Sequence, residues 1–99
     1  MSVWAVSWAM EEQVSDAGHK LLLATLGFRA DDHDEVVVDP HEVAQMACLS
    51  SPVKFNKALF ALADQGFLTR LHRGVPKGKL GVRLHVPETF AAPAQDQEG

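Results

Sequence analysis

The stretch Pro52–Gln65, PVKFNKALFALADQ, leaves little freedom in how it can fold. Phe55, Ala58, Leu59 and Leu62 recur at i, i+3, i+4 and i+7, which puts one apolar stripe on one side of a helix. Ser51 offers an N-cap oxygen and Pro52 suits the first helical position. Gly66 suits the left-handed residue that ends a helix. The chain then changes period. Phe67–Arg73 (FLTRLHR) alternates apolar and polar residues, Gly74–Gly78 (GVPKG) is rich in turn formers, and Leu80–Val86 (LGVRLHV) alternates again. That pattern predicts a two-stranded β-hairpin with a basic tip directly after the helix.

A second boundary lies upstream. In Asp39-Pro40-His41-Glu42, Asp39 offers a cap, Pro40 stands at the first helical position, and Glu42 completes a capping box. A short helix over 40–47 follows, with Val43, Ala44, Ala47 and Met46 on its apolar face. It stops at Cys48-Leu49-Ser50-Ser51. Before it, Glu35–Val38 (EVVV) is β-branched and suits a short strand. The run ADDHDE at 30–35 is too polar for regular structure. Ser15 or Asp16 can cap a buried helix over 17–28, whose stripe is Ala17, Leu21, Leu22 and Leu26. The first fourteen residues read two ways: Trp4, Val6, Trp8 and Met10 alternate like a strand, while Trp4 and Trp8 also share a helical face. A short helix or turn folded onto the body or a partner is expected there. The tail 87–99 (PETFAAPAQDQEG) reads as flexible, with Phe90 as its one large apolar side chain.

A chain of 99 residues makes one domain, here 15–86, between an N-terminal segment (1–14) and the tail. The single cysteine, Cys48, excludes an internal disulfide framework and a cysteine-rich zinc site. No apolar run approaches the roughly 18 residues of a membrane span. The first residues lack a basic region ahead of their apolar stretch, so no secretory signal is expected and a reducing cytoplasm is the expected compartment. Net charge is −4, but it is unevenly spread. Residues 51–86 hold seven basic side chains against Asp64 alone, a balance of +6. The rest holds Lys20 and Arg29 against twelve acids, or −10, and the two parts sum to −4. A basic segment set off in this way points to an anionic partner.

The order helix, short strand, short helix, turn, longer helix, hairpin resembles the winged helix-turn-helix family of bacterial, phage and plasmid DNA-binding domains. The resemblance covers about residues 15–86. VAQMACLS matches the first helix and turn of the motif, and SSPVKFNKALFALADQGFLTR matches the second helix and the start of the wing. A tryptophan followed by AGHKLLLATLGFRAD looks most like the winged modules of plasmid and phage replication or regulatory proteins. The fold implied is α+β: a three-helix core, a short strand and a C-terminal two-stranded wing.

The function implied is DNA recognition by a regulator or replication accessory factor, cytoplasmic and nucleoid-associated, with no catalysis and no cofactor. The second motif helix would enter the major groove and present Ser51, Val53, Lys54, Asn56 and Lys57. Asn56 suits adenine and Lys54 suits guanine acceptors. Lys57, Arg70, Arg73, Lys77, Lys79 and Arg83 would meet phosphates, and the N-terminus of the helix at Pro40 can offer N–H groups to one. Few base-reading groups imply a homodimer on double-stranded DNA, with Trp4, Trp8 and Phe60 as interface candidates. The chain departs from the family at three places. Cys48 stands where the turn usually has glycine, the turn is about one residue longer, and Pro52 and Val53 replace the usual arginine or threonine. The arginine-free helix and the off-stripe Phe60 support a second expectation, a winged module that binds a protein.

Other constellations carry less. Asp31, Asp32, His33, Asp34 and Glu35 lack the ordered spacing and glycine of a calcium loop and read as a solvated acidic loop. The five histidines form no metal-binding spacing, although His72 and His85 fall in the two hairpin runs as cross-strand neighbours. Cys48 has no cation near it in sequence and reads as a buried, inert thiol. KGKLG at 77–81 lacks the spacing of a phosphate-binding loop. No serine or cysteine stands with a base and an orienting group.

Overall fold

The computed structural model describes residues 3–14, 16–49 and 51–87. Among them the elements run α1 (Val3–Glu11), α2 (Ala17–Arg29), β1 (Glu35–Val38), α3 (Pro40–Met46), α4 (Pro52–Asp64), β2 (Leu68–Arg70) and β3 (Leu80–Leu84). Ser15, Ser50, Phe90 and all of the tail beyond Pro87 lie outside the described residues. The result is a small α+β fold with four helices and a three-stranded antiparallel sheet among the described residues. No described helix is long and apolar enough to cross a membrane.

The helix boundaries follow local chemistry. Asp16 Oδ1 accepts from Gly18 N (2.8 Å) and His19 N (3.2 Å) to start α2. Asp39 Oδ1 accepts from His41 N at 2.9 Å and Pro40 opens α3. Glu42 does not complete a capping box; its carboxylate meets Arg29 of α2 at 2.9 Å instead. Ser51 caps α4 through Lys54 N. At its other end Gly66 takes φ +86°, Gly66 N bonds Ala63 O, and Phe67 N bonds Leu62 O. Those two bonds satisfy the last carbonyls of the helix, and the positive φ is what requires glycine.

The expected hairpin is present, as β2 paired with β3, and the sheet extends it by a third strand. Its order is β1-β3-β2, so β3 is central and the EVVV strand joins it. Val36 lies opposite Val82, and Leu68 opposite Leu84. Val36, Val38, Leu68, Leu80, Val82 and Leu84 are buried. They close over Leu22, Leu23, Leu26, Val43 and Leu62 from the helices. Such side chains each contribute about 1.5–3 kcal/mol on full burial. The strands are shorter than the alternation suggested, so His72 falls outside β2. His72 and His85 are therefore not cross-strand neighbours. His85 instead bonds Thr69 Oγ1 (2.6 Å) and Gly66 O (2.8 Å).

The N-terminal segment is helical and belongs to the same core, which corrects a three-helix body to four helices. Ala5, Trp8 and Ala9 are buried. Trp8 meets Phe67 edge to face, with ring centroids 6.1 Å apart. α1 crosses α2 at Gly27, where a Cβ would stand 3.0 Å from the backbone of Ala5. This second neighbour rotates the buried face of α2. Leu22, Leu23 and Leu26 are enclosed, whereas Ala17 and Leu21 face solvent.

The acidic run at 31–35 is an ordered turn. Asp31 Oδ1 accepts from His33 N (2.8 Å) and Glu35 N (3.0 Å), and Asp31 N bonds Glu35 O at 2.9 Å. Asp34 takes φ 61° and its carbonyl receives Leu84 N at 2.8 Å, which pins the turn to β3.

Candidate nucleic-acid interface

The apolar stripe of α4 faces the core, so its other residues divide by helical angle. Phe55, Ala58, Leu59 and Leu62 are buried. Val53 and Phe60 form the crest and are 72% and 74% exposed. Asn56 lies on one shoulder, at a cavity of about 180 Å³ with Pro40, His41, Ala44, Leu49, Pro52 and Phe55. Lys54 and Lys57 lie on the other shoulder, turned toward the start of α2. The five positions expected to meet DNA thus stay outside the core, but they do not share one face. Asn56 and Lys54 look to opposite sides of the helix.

The turn from α3 to α4 holds the helix pair together. Ala47 N bonds Val43 O, and Leu49 N bonds Ala44 O at 2.8 Å. Cys48 takes φ 59°. A left-handed residue is what the resemblance places there, and a cysteine in that conformation costs about 1–2 kcal/mol relative to glycine. The same conformation turns the thiol outward. Cys48 is exposed, which corrects the expectation of a buried thiol.

The hairpin carries the remaining basic residues. Arg70 and Arg73 are exposed, as are Lys77 and Lys79 on the connection from β2 to β3. That connection turns at Gly74 (φ 74°) and Gly78 (φ 83°). Val75 folds back over Gly81, where any Cβ would collide with its side chain. Arg83 differs from the others. It sits opposite Glu35 in the β1–β3 register and forms an ion pair with the Glu35 carboxylate. That carboxylate raises the Arg83 pKa first through the hydrogen bond and then through its charge.

Charge pairing separates these groups. Among the described residues the ion pairs are Arg29–Glu42 and Arg83–Glu35. Lys54, Lys57, Arg70, Arg73, Lys77 and Lys79 make none there. Of the three interface candidates, Phe60 and Trp4 reach solvent, Trp4 at 39% exposure. Trp8 does not; its ring is spent inside its own core. Among the described residues no cluster of three or more His, Cys, Asp or Glu side chains is placed to hold a metal ion.

Sequence reasoning missed one group entirely. Asp16 and His19, from the first turn of α2, face Lys54 and Lys57 across a cleft. Nothing near α4 in sequence signals them, because the meeting depends on α2 packing against α4. No family model matches the chain, and no curated protein or solved structure matches it.

Proposed function

We propose that the chain is a winged helix-turn-helix DNA-binding protein, a regulator or accessory factor in transcription or replication. α4 enters the major groove, and the β2–β3 hairpin lies along the flanking phosphates as the wing. The observation that carries this reading is the set of six exposed cations, Lys54, Lys57, Arg70, Arg73, Lys77 and Lys79, that no carboxylate neutralises among the described residues. The element order, the sheet order β1-β3-β2 and the left-handed Cys48 in the α3–α4 turn are compatible with the winged fold.

The mechanism is a positioning clamp. Each cation that meets a phosphate releases condensed counterions, and that release supplies most of the affinity. Base contacts are few: Asn56 is suited to adenine, and the exposed Val53 to a thymine methyl. A homodimer doubles these contacts, with Trp4 on its interface, and the assembly resides on the nucleoid. The test is anisotropy with mixed-sequence duplex DNA over a salt series. Six phosphate contacts predict a slope of log K against log salt of about −5. Absence of binding at low salt overturns the reading.

The crest of α4 favours a second reading, a winged module that binds a protein. Val53 and Phe60 are large, apolar and mostly exposed on one helix face. Phe60→Ala then weakens the partner complex and leaves duplex affinity unchanged.

A further inference from the structure

The first turn of α2 comes close to the α3–α4 turn: a Cβ on Gly18 would lie 3.5 Å from Leu49. Beside this contact runs a cleft of about 360 Å³ lined by Asp16, His19, Leu49, Lys54 and Lys57. A solvent-open cleft of that volume has room for a hydrated anion. Lys54 and Lys57 stand one helical turn apart on one wall. His19 and Asp16 stand on the other.

The charges in the cleft are unequal in their freedom. Asp16 Oδ1 is tied to Gly18 N and His19 N. The His19 N–H bond is the main cause that holds its pKa below the ordinary carboxylate value, so Asp16 stays ionised. Neither lysine comes within ion-pair distance of it. Lys20, the next cation on α2, is turned away and donates to Glu12 O at 3.1 Å. The α2 amides are also occupied, since Lys20 N bonds Asp16 O. Two lysines and a histidine therefore line an open cleft beside one immobilised carboxylate.

We infer that this cleft is a seat for a phosphate group, held by the side chains of Lys54, Lys57 and His19 and weakened by Asp16. The inference rests on the DNA-binding reading for the source of the phosphate, a duplex backbone phosphodiester. It gives Lys54 and Lys57 a shared phosphate, in place of the guanine contact expected for Lys54 from the sequence, and adds His19 to the interface. Asp16 acts as a brake: it fixes α2 and repels the ligand at the same time.

The test uses the full chain and separates the two roles of Asp16. Asp16→Asn keeps a capping oxygen and removes the charge. Asp32→Asn removes an equal charge from the acidic turn. Unchanged melting temperatures show that both variants keep the fold. Asp16→Asn binds the duplex about fivefold tighter at low salt, and Asp32→Asn changes affinity less than twofold. Lys57→Gln and His19→Gln each weaken binding several-fold. Equal gains from the two asparagine variants mean overall charge alone and overturn the seat. If wild type binds no duplex at low salt, the DNA reading fails, and titration with inorganic phosphate, followed by the NMR signals of His19, Leu49 and Lys54, decides the seat by itself. Shifts confined to those residues assign it to a small phosphorylated molecule; no shifts remove it.

Discussion

Asp16, Asp31 and Asp39, all before the α3–α4 turn, each accept backbone N–H groups. Glu42 and Glu35 are occupied by Arg29 and Arg83. Past the turn the situation reverses: six cations stand on α4 and the hairpin with no carboxylate bound among the described residues. A charge that caps a helix or closes a turn is committed to the fold. A charge left in solvent adds little to stability and remains available to a partner. The uneven distribution read from the sequence is thus also a difference in use.

The strongest way to break that comparison is Lys54→Glu with Lys57→Glu. Two reversals at the centre of the proposed interface lower duplex affinity by about a hundredfold or more and flatten the salt slope by at least two. The melting temperature moves little, because neither side chain has an ion-pair partner among the described residues. An unchanged affinity means that the basic face of α4 serves something other than DNA.

Arg73 and Arg83 sharpen the comparison within one hairpin. Arg73→Gln removes an unpaired cation and reduces the salt slope by about one. Arg83→Gln leaves the slope unchanged, since its guanidinium is already paired with Glu35. Equal slopes for the two variants would erase the distinction between committed and free charge. Asp39→Ala tests the other class. It removes a cap, costs about 1 kcal/mol of stability, and leaves duplex affinity untouched. Chemical denaturation and the same anisotropy assay read the two effects.

The elements with local signals are legible in the sequence. Asp39-Pro40 and Ser51-Pro52 mark the starts of α3 and α4, Gly66 marks the end of α4, and Cys48 stands at the position that adopts positive φ. What depends on distant contacts is not legible. EVVV has strand propensity but no information that selects β3 as its neighbour. The run Leu21-Leu22-Leu23 offers apolar side chains on several faces, and only the approach of α1 at Gly27 decides which are buried. Trp8 fits strand and helix patterns equally until Phe67 is placed beside it. The candidate site divides in the same way. Its cations are read directly from residues 51–86, whereas Asp16 and His19 enter through the packing of α2 against α4.

The acidic turn gives the smallest effect and the finest test of how charge is used. Asp31 and Asp34 lie in one turn, yet their pKa values move in opposite directions. The Glu35 N–H bond is the main cause that lowers Asp31. Burial, followed by repulsion from Asp31, raises Asp34. A lowered folded pKa gives stability above the unfolded value of about 3.9, and that stability is lost as pH falls through the folded value. A raised folded pKa works in reverse: its stability is present below about 3.9 and is lost as pH rises through the folded value. Asp31 therefore supports the fold at neutral pH, and ionised Asp34 opposes it. Asp34→Asn keeps a residue that tolerates φ 61° and removes the opposing charge. It raises stability at pH 7 by a few tenths of a kcal/mol after solvent screening. The gain shrinks to nothing below about pH 3.9, where wild-type Asp34 is itself protonated. A gain that stays constant across pH assigns the effect to backbone preference, and a loss at pH 7 shows that Asp34 is committed to the fold as firmly as Asp31.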